Sequence, residues 1–495
     1  MDVQPRRTLT EDQVKKGLNL VIGDGLAAEA MTTFTGGAFL IALALLLGAS
    51  NFQIGLLASL PMFTNIFQLL SIWLVRRTEN RRLVTVITSI LARIPLVIIG
   101  IAAFYIPAGS GVNTLLFFLF FYYLFGSIAG PSWNSWMKDL VPEKNFGAYF
   151  AKRTSYTQSL NVVLSLILAF TVDFVKTDFP QLELKAYATM FIAGGVIGII
   201  GAVILSKVQE PVSLMSDDNL FKLFKRPLRD GNFQRLLVFN SAWTFALSIA
   251  TPFFTVFMMQ SLELSLSYII GLTILSQVAG ILTVRKWGAL ADRYSNKTII
   301  AISGPLYISC MVAWCFVGIY TRFYANMMLL ILIHVLSGVS TAGVNLTITN
   351  MGLKLAPKEH AIVYLSARNM ILSVSGAIAP LIGGVLADYF TDRSLTINAE
   401  WISSSFEKTF FLVSLHEWNF LFLIGAFLAL LSLEFLVYLK EVGEVEKELV
   451  VRIMRRSVRS SLKDFFVIGI LISWQEHVWD IIKKRLYIRQ PPDGQ

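Results

Sequence analysis

The chain has 495 residues, of which 55% are hydrophobic and only 15% charged, and its mean hydropathy is +0.64. Soluble globular domains carry about a quarter charged residues, so the composition excludes an ordinary soluble enzyme. The formal net charge of +10 would suit a nucleic-acid partner, but the basic residues lie in short gaps between apolar runs rather than on a patch of their own, and no nucleic acid is expected.

Twelve apolar runs follow one another. They are predicted to be helices, because in lipid every backbone N–H and C=O must be satisfied within the chain, and about 20 helical residues cross the hydrocarbon core. A polar, basic segment (1–17) leads into span 1 (18–49), which carries Asp24 and Glu29. Span 2 (53–75) ends at a loop holding Arg76, Arg77, Arg81 and Arg82, and span 3 (83–106) carries Arg93 near mid-depth. Spans 4 (113–138), 5 (147–175) and 6 (186–207) complete a first bundle, residues 18–207, with Arg153 near the start of span 5. A basic linker (208–235) follows, in which Asn219 to Arg226 reads either as an amphipathic surface helix or as solvated chain. The second bundle, residues 236–440, holds spans 7 (236–260), 8 (266–286), 9 (298–321), 10 (326–352), 11 (360–390) and 12 (418–439). In the tail, 441–495, Val451, Met454, Val458 and Leu462 recur at helical spacing opposite Arg452, Arg455, Arg456 and Arg459. The apolar stretch 465–474 is too short to span. The tail is therefore expected on the inner leaflet, its basic residues at anionic lipid headgroups, or packed on the protein's own cytoplasmic face.

Of the 42 Lys and Arg, 36 fall on one side of this topology, five on the other, and Arg93 within a span. That asymmetry is the positive-inside pattern. It places both termini in the cytoplasm of a protein integral to the plasma (inner) membrane, which requires an even number of spans. The two cysteines, Cys310 and Cys315, both fall in span 9 and read as packing residues. No metal site or cofactor is predicted.

The halves resemble each other. At an offset of 216, slipping to 215 near the fourth loop, Asp24 falls on Asn240 and Asn134 on Asn350, then Pro142 on Pro357, Tyr149 on Tyr364, Arg153 on Arg368 and Asp173 on Asp388. Six spans separate the copies, so they share one orientation in the membrane, as parallel transporter repeats do.

The stretch Gly288-Ala289-Leu290-Ala291-Asp292-Arg293-Tyr294-Ser295-Asn296-Lys297 resembles a loop motif of the major facilitator superfamily, Gly-x-Leu-Ala-Asp-Arg-x-Gly-Arg-Lys, departing at Ser295 and Asn296. The first-half equivalent departs further, with Arg76 at the acid position and Arg77 after it, though the basic end at Arg81 and Arg82 survives. The run Gly130-Pro131-Ser132-Trp133-Asn134-Ser135-Trp136 is similar to a bacterial branch of that superfamily whose members mostly lack an assigned substrate. The resemblance covers about 18–440. It implies an all-α membrane protein, twelve transmembrane helices arranged as two parallel six-helix pseudo-repeats, and a secondary active transporter that moves a small solute by alternating access. The motif acid implies a contact with a helix N-terminus of the opposite half, where unpaired N–H groups favour negative charge. Asp292 is thus expected near the start of span 5, around Gly147–Arg153, with Arg153 as partner, forming a cytoplasmic latch. Gly288, Arg293, Lys297, Arg77 and Arg368 are assigned to gating with it. The plainer alternative is that Asp292 only orders its loop.

Ionisable groups inside spans tend to face a cavity or a partner. Arg93 is expected to pair with Glu29 or Asp24, and an acid beside a cavity can load and release a proton as the two sides alternate. Two alternatives stay open: a permanently closed ion pair, and an Arg93 that binds an anionic solute. His334 in span 10 can titrate near neutral pH, though a lone membrane His is commonly a packing residue. Asn134, Asn240, Gln277 and Asn350 are candidate cavity-lining amides, which interhelical hydrogen bonding would also explain. The Gly- and Pro-containing run from Gly376 to Gly384 in span 11 reads as a bend and a close-packing surface. No Gly-rich phosphate loop followed by Lys-Ser/Thr is present, which argues against ATP-driven transport. The expected partners are a small solute, protons and membrane lipids, and the expected state is a monomer. The rival function is a non-transporting sensor or assembly factor on the same fold.

Overall fold

The structure is a computed structural model that describes residues 5–6, 9–105, 108–212, 226–318, 323–357, 361–403 and 406–441. The expected helix Asn219 to Arg226, all but its last residue, and the tail beyond 441 lie outside the described residues. Among the described residues twelve helices are long and apolar enough to cross a membrane. Spans 1 to 6 are Glu11–Leu46, Asn51–Thr78, Arg81–Tyr105, Gly111–Leu140, Glu143–Asp178 and Pro180–Leu205. Spans 7 to 12 are Gly231–Gln260, Leu266–Arg293, Asn296–Phe316, Phe323–Leu355, Val363–Phe390 and Trp418–Val437.

Local sequence chemistry sets the ends. Thr10 and Ser50 open spans 1 and 2 with capping boxes closed by Gln13 and Gln53, so polar side chains satisfy otherwise orphaned N–H groups. Span 1 breaks between Thr35 and Gly37, and Gly37 takes φ +56, a left-handed conformation that glycine adopts without a Cβ clash. Span 7 breaks at the matching level, between Ser248 and Thr251, ahead of Pro252. Span 2 tightens into a 3₁₀ turn at Asn65–Phe67. Between spans 11 and 12 the chain forms an antiparallel hairpin of β1 (Ser394–Ser403) and β2 (Phe406–His416). The sequence reading gave this stretch no structure.

Equivalent features of the two halves fix the repeat register. The N-caps Ser50 and Ser265 are 215 apart, as are Asn80 and Ser295 ahead of spans 3 and 9. The Tyr149 hydroxyl donates to the Leu18 carbonyl (2.9 Å), while Tyr364 packs edge-on against Phe233, and Leu18 and Phe233 are again 215 apart. The offset of 216 expected for spans 1 to 4 is therefore one residue too long. Identities between apolar helices slip by one residue easily, whereas caps and carboxylate partners do not. In the corrected register Asn134 corresponds to Thr349 rather than Asn350, and Asp24 to Phe239 rather than Asn240.

The halves meet along span 2 with span 11 and span 5 with span 8. A Cβ on Gly55 would lie 2.2 Å from the Pro380 carbonyl oxygen, so the backbones of spans 2 and 11 touch there, and Ser59 donates to the Ala377 carbonyl (2.7 Å). Gly376 and Gly384 lie on the same crossing, against Met62 and Asn51, which makes this run the close-packing surface expected. At the face opposite the basic loops, the Asp388 carboxylate accepts from the backbone N–H groups of Asn51 (3.1 Å) and Phe52 (3.0 Å) at the start of span 2. The Asp173 carboxylate accepts from Leu266 (2.9 Å) and Ser267 (2.8 Å) at the start of span 8. Each pair of helix starts is thus held by an acid of the other half, and both acids and both helix starts are 215 apart.

Candidate functional site

A cavity of about 560 Å³ lies in the first half. Its walls come from span 1 (Asp24, Met31), span 2 (Pro61 to Gln68), span 3 (Thr85, Ser89, Ala92, Arg93), span 4 (Tyr122 to Asn134), Arg153 of span 5 and Leu205 of span 6. Thr85 is four residues from the start of span 3, Asn134 six from the end of span 4, and Arg153 ten from the start of span 5. The cavity therefore occupies the part of the bundle nearer the basic loops.

Its charged floor is assembled from three helices. Arg93 of span 3 pairs with the Asp24 carboxylate of span 1 at 3.4 Å and also donates to the Gly198 carbonyl of span 6. Both side chains are buried, 8% and 6% exposed. Span 6 can approach this closely because its facing residues are glycines. A Cβ on Gly198 would meet the Met31 sulfur at 2.5 Å, and one on Gly201 would meet the Ala27 Cβ at 2.8 Å and an Asp24 carboxylate oxygen at 3.2 Å. The glycine face of span 6 thus makes room for the ion pair. Of the two acids expected to pair with Arg93, Asp24 does so. Glu29 sits farther along span 1, half-buried, with Asn161 as hydrogen-bonding neighbour and Arg153 within electrostatic reach, and it is not among the lining residues.

Arg153 has a different setting from the one expected of a latch partner. Its guanidinium lies over the Trp133 ring, 5.0 Å from the centroid, and against Gly25 of span 1. Its buried Nε has no hydrogen-bond partner among the described residues. Asp292 is exposed and forms no hydrogen bond or ion pair among the described residues, so the Asp292–Arg153 latch is not closed in this structure. The basic end of the motif has partners within its own half. The Glu441 carboxylate accepts from the Asn296 N–H (3.2 Å) and the Lys297 N–H (2.8 Å), and Lys297 Nζ donates to the Leu439 carbonyl (3.1 Å). In the first half the Glu210 carboxylate does the same for the N–H groups of Arg81 (3.0 Å) and Arg82 (2.9 Å). Arg81 Nε adds a 2.8 Å ion pair to Glu210, and its Nη1 reaches Asp139. Sequence reasoning missed Glu210 and Glu441, though each is the acid that directly follows the last helix of its half.

The other candidates lie elsewhere. Asn134 lines the cavity mouth. Asn240, Gln277, His334 and Asn350 do not line this cavity. Asn240 is buried, and neither amide atom has a hydrogen-bond partner among the described residues. Gln277 is exposed. His334 bonds the Leu330 carbonyl of its own helix through Nδ1 (2.8 Å) and packs edge-on against Trp314. Among the gating candidates, Arg77 lies over Trp73, Arg293 over Tyr294, and Arg368 beside Gly352; Gly288 faces Leu346. In the 215 register the second-half equivalents of Asp24 and Arg93 are Phe239 and Ile308. The buried Asp24–Arg93 pair therefore has no counterpart in the second half, although Arg368 repeats Arg153 with the same buried, unpartnered Nε among the described residues; the second half packs an aromatic core of Phe254, Trp314 and Phe422, with Phe254 4.7 Å from both rings.

The family model described as Major Facilitator Superfamily matches residues 25–380. A search of curated proteins found no match. Among solved structures, an auto-inhibited POT family peptide transporter aligns with TM-score 0.63 at 13% identity, over 87% of this chain and 98% of its own. The nucleoside transporter NupG aligns with TM-score 0.57 at 13% identity, over 86% and 99%. A bacterial homologue of the iron transporter ferroportin, in its inward-facing state, aligns with TM-score 0.57 at 11% identity, over 87% and 99%. At such identities these structures share the fold and nothing finer. With most of the chain matched by one family model, and with twelve membrane helices in two similar halves, this protein belongs to the Major Facilitator Superfamily and is an integral membrane transporter rather than an enzyme.

Proposed function

We propose that the chain is a secondary active transporter that moves a small solute by alternating access, with the first-half cavity as solute site and Asp24 as proton-coupling group. The observation that carries this reading is the Asp24–Arg93 pair, buried in membrane-spanning helices yet forming part of a cavity wall. Such groups are expensive in a bilayer and mark pathways or proton relays. A proton arriving on Asp24 neutralises the carboxylate and releases Arg93. Its departure restores the pair, so occupancy of one site biases the packing of spans 1, 3 and 6. The excess of Lys and Arg on one side supports a plasma-membrane orientation with the basic loops and both termini in the cytoplasm. With the outer ends joined by Asp173 and Asp388 and the cavity on the basic side, the conformation fits an inward-open state. Closure of that side would bring Asp292 toward the start of span 5.

The test is solute uptake and efflux in sealed proteoliposomes under an imposed pH gradient, screened over metabolites. Wild type should accumulate its solute against a gradient. Asp24→Asn should abolish proton-driven accumulation but spare passive exchange. Glu29→Gln reports whether the second acid of span 1 shares the role. If Asp24→Asn retains full proton-driven accumulation, the coupling assignment fails; silence of wild type across a broad panel would instead support a sensor.

A further inference from the structure

We infer that the cavity selects a solute bearing a single oxyanion, a carboxylate or a phosphate ester, held by the guanidinium of Arg153. The inference rests on the reading of this cavity as the solute site. One acidic and two basic side chains line its wall: Asp24, Arg93 and Arg153. Arg93 is committed to the Asp24 carboxylate and the Gly198 carbonyl, so that cation is already balanced. Arg153 is not. Among the described residues no carboxylate forms an ion pair with it, although Asp24 and Glu29 lie within electrostatic reach; its Nε is buried without an acceptor, and its guanidinium lies over the Trp133 ring. Asp24 is a single carboxylate shared electrostatically by two guanidiniums. Glu29 lies off the wall toward Asn161.

A guanidinium has five N–H donors in a planar fork and no acceptor. Stacking on an aromatic face does not occupy the N–H donors, and carboxylates and phosphates fit a guanidinium bidentately; the Nε side of Arg153 packs on Gly25, so the donors left for a solute are those of its Nη atoms. A cationic solute would find the carboxylate taken and a guanidinium opposing it. The wall carries Trp133, Tyr123, Met31 and Met62 alongside polar Asn65, Gln68, Ser89 and Asn134, which suits an amphipathic body. At about 560 Å³ the space matches a small organic molecule.

The full-length protein, purified into lipid nanodiscs, can be titrated calorimetrically with shape-matched sets: benzoate, phenyl phosphate, benzamide and benzylamine, then hexanoate, hexanamide and hexylamine. At least one carboxylate or phosphate should bind at least tenfold more tightly than its amide and amine counterparts, and the benzoate–phenyl phosphate order identifies the oxyanion. Arg153→Lys keeps the charge but loses the fork, and should weaken anion binding by about ten- to a hundredfold, the usual range for a charged hydrogen bond. Lys152→Met removes the adjacent exposed cation and should leave affinity unchanged; an unshifted melting profile of Arg153→Lys shows that its fold is intact. Equal or tighter binding of an amide or amine, absence of anion binding, or wild-type anion affinity in Arg153→Lys would each overturn the assignment. The two readings fail separately. Gradient-driven flux of a neutral or cationic solute keeps the carrier and removes the oxyanion. Anion-selective binding without flux keeps the oxyanion site and removes the carrier.

Discussion

At the scale of single residues the question is whether Asp24 and Arg93 are a brace or a working pair. Removing one member of a buried pair strands the other charge, at a typical cost of about 3–5 kcal/mol, whereas replacing both can be nearly neutral. Arg93→Met should therefore lower thermal stability strongly, and Asp24→Asn with Arg93→Met should recover most of the loss, as read by unfolding temperature in detergent. If the pair is only a brace, the stabilised double variant should also transport. If it couples protons, the variant should fold and yet fail to accumulate solute, and recovered accumulation would rule the working role out. These two residues were legible in the sequence because a charge inside an apolar run stands out. The Arg153 setting was not, because its depth and its contact with Trp133 depend on how spans 1, 4 and 5 pack. Amides such as Gln277 and Asn350 were indistinguishable by sequence from Asn134, since an amide inside a helix carries no mark of which way the helix is turned.

At the scale of elements, the carboxylates of Glu210 and Glu441 start spans 3 and 9. Glu210 is 3% exposed and accepts from two backbone N–H groups and the Arg81 guanidinium, so it ties the end of span 6 to the start of span 3. Glu210→Leu would orphan both backbone donors and leave buried Arg81 with Asp139 as its remaining carboxylate among the described residues, beside the Ser135 and Pro211 carbonyls; the expected loss is about 2–4 kcal/mol. The unfolding temperature should fall by several degrees while the amount of membrane-inserted protein stays constant. An unchanged melting curve would show that water replaces the carboxylate at no cost. Spans were readable because their length and apolarity are imposed by the bilayer. Their internal breaks at Gly36 and at Asn65–Phe67 were not, since a helix tolerates such residues until packing exploits them. The hairpin 394–416 escaped notice because strand alternation in a short polar-to-apolar stretch is weak beside twelve membrane helices. Neither cap acid was found, because the hairpin lengthens the second half and moves Glu441 out of the 215 register that Glu210 would demand.

At the scale of the molecule the two halves are alike in backbone and unlike in chemistry: ion pair and cavity on one side, aromatic core on the other. Repetition was legible, and so was its parallel sense, because charge and proline positions recur. What recurrence did not disclose is that the aligned acids Asp173 and Asp388 act across the halves. Each carboxylate sits on a helix start of the opposite half, where the helix dipole and unpaired N–H groups favour negative charge, and each contact is worth about 1 kcal/mol by analogy with helix capping. On the alternating-access reading proposed above, both must break for this face to open. Asp173→Ala with Asp388→Ala should therefore shift the equilibrium toward an outward-open form by about 2 kcal/mol, roughly thirtyfold. Spin labels at Thr177→Cys and Ser261→Cys, exposed positions at the outer ends of opposite halves, would read the shift, since native Cys310 and Cys315 are buried. The parent should give a short distance, each single alanine variant a minor longer component, and the double variant a dominant one. If the double variant keeps the parent distribution, the crossing of spans 2 and 11 at Gly55 and Pro380 holds the outer face shut without help from the acids.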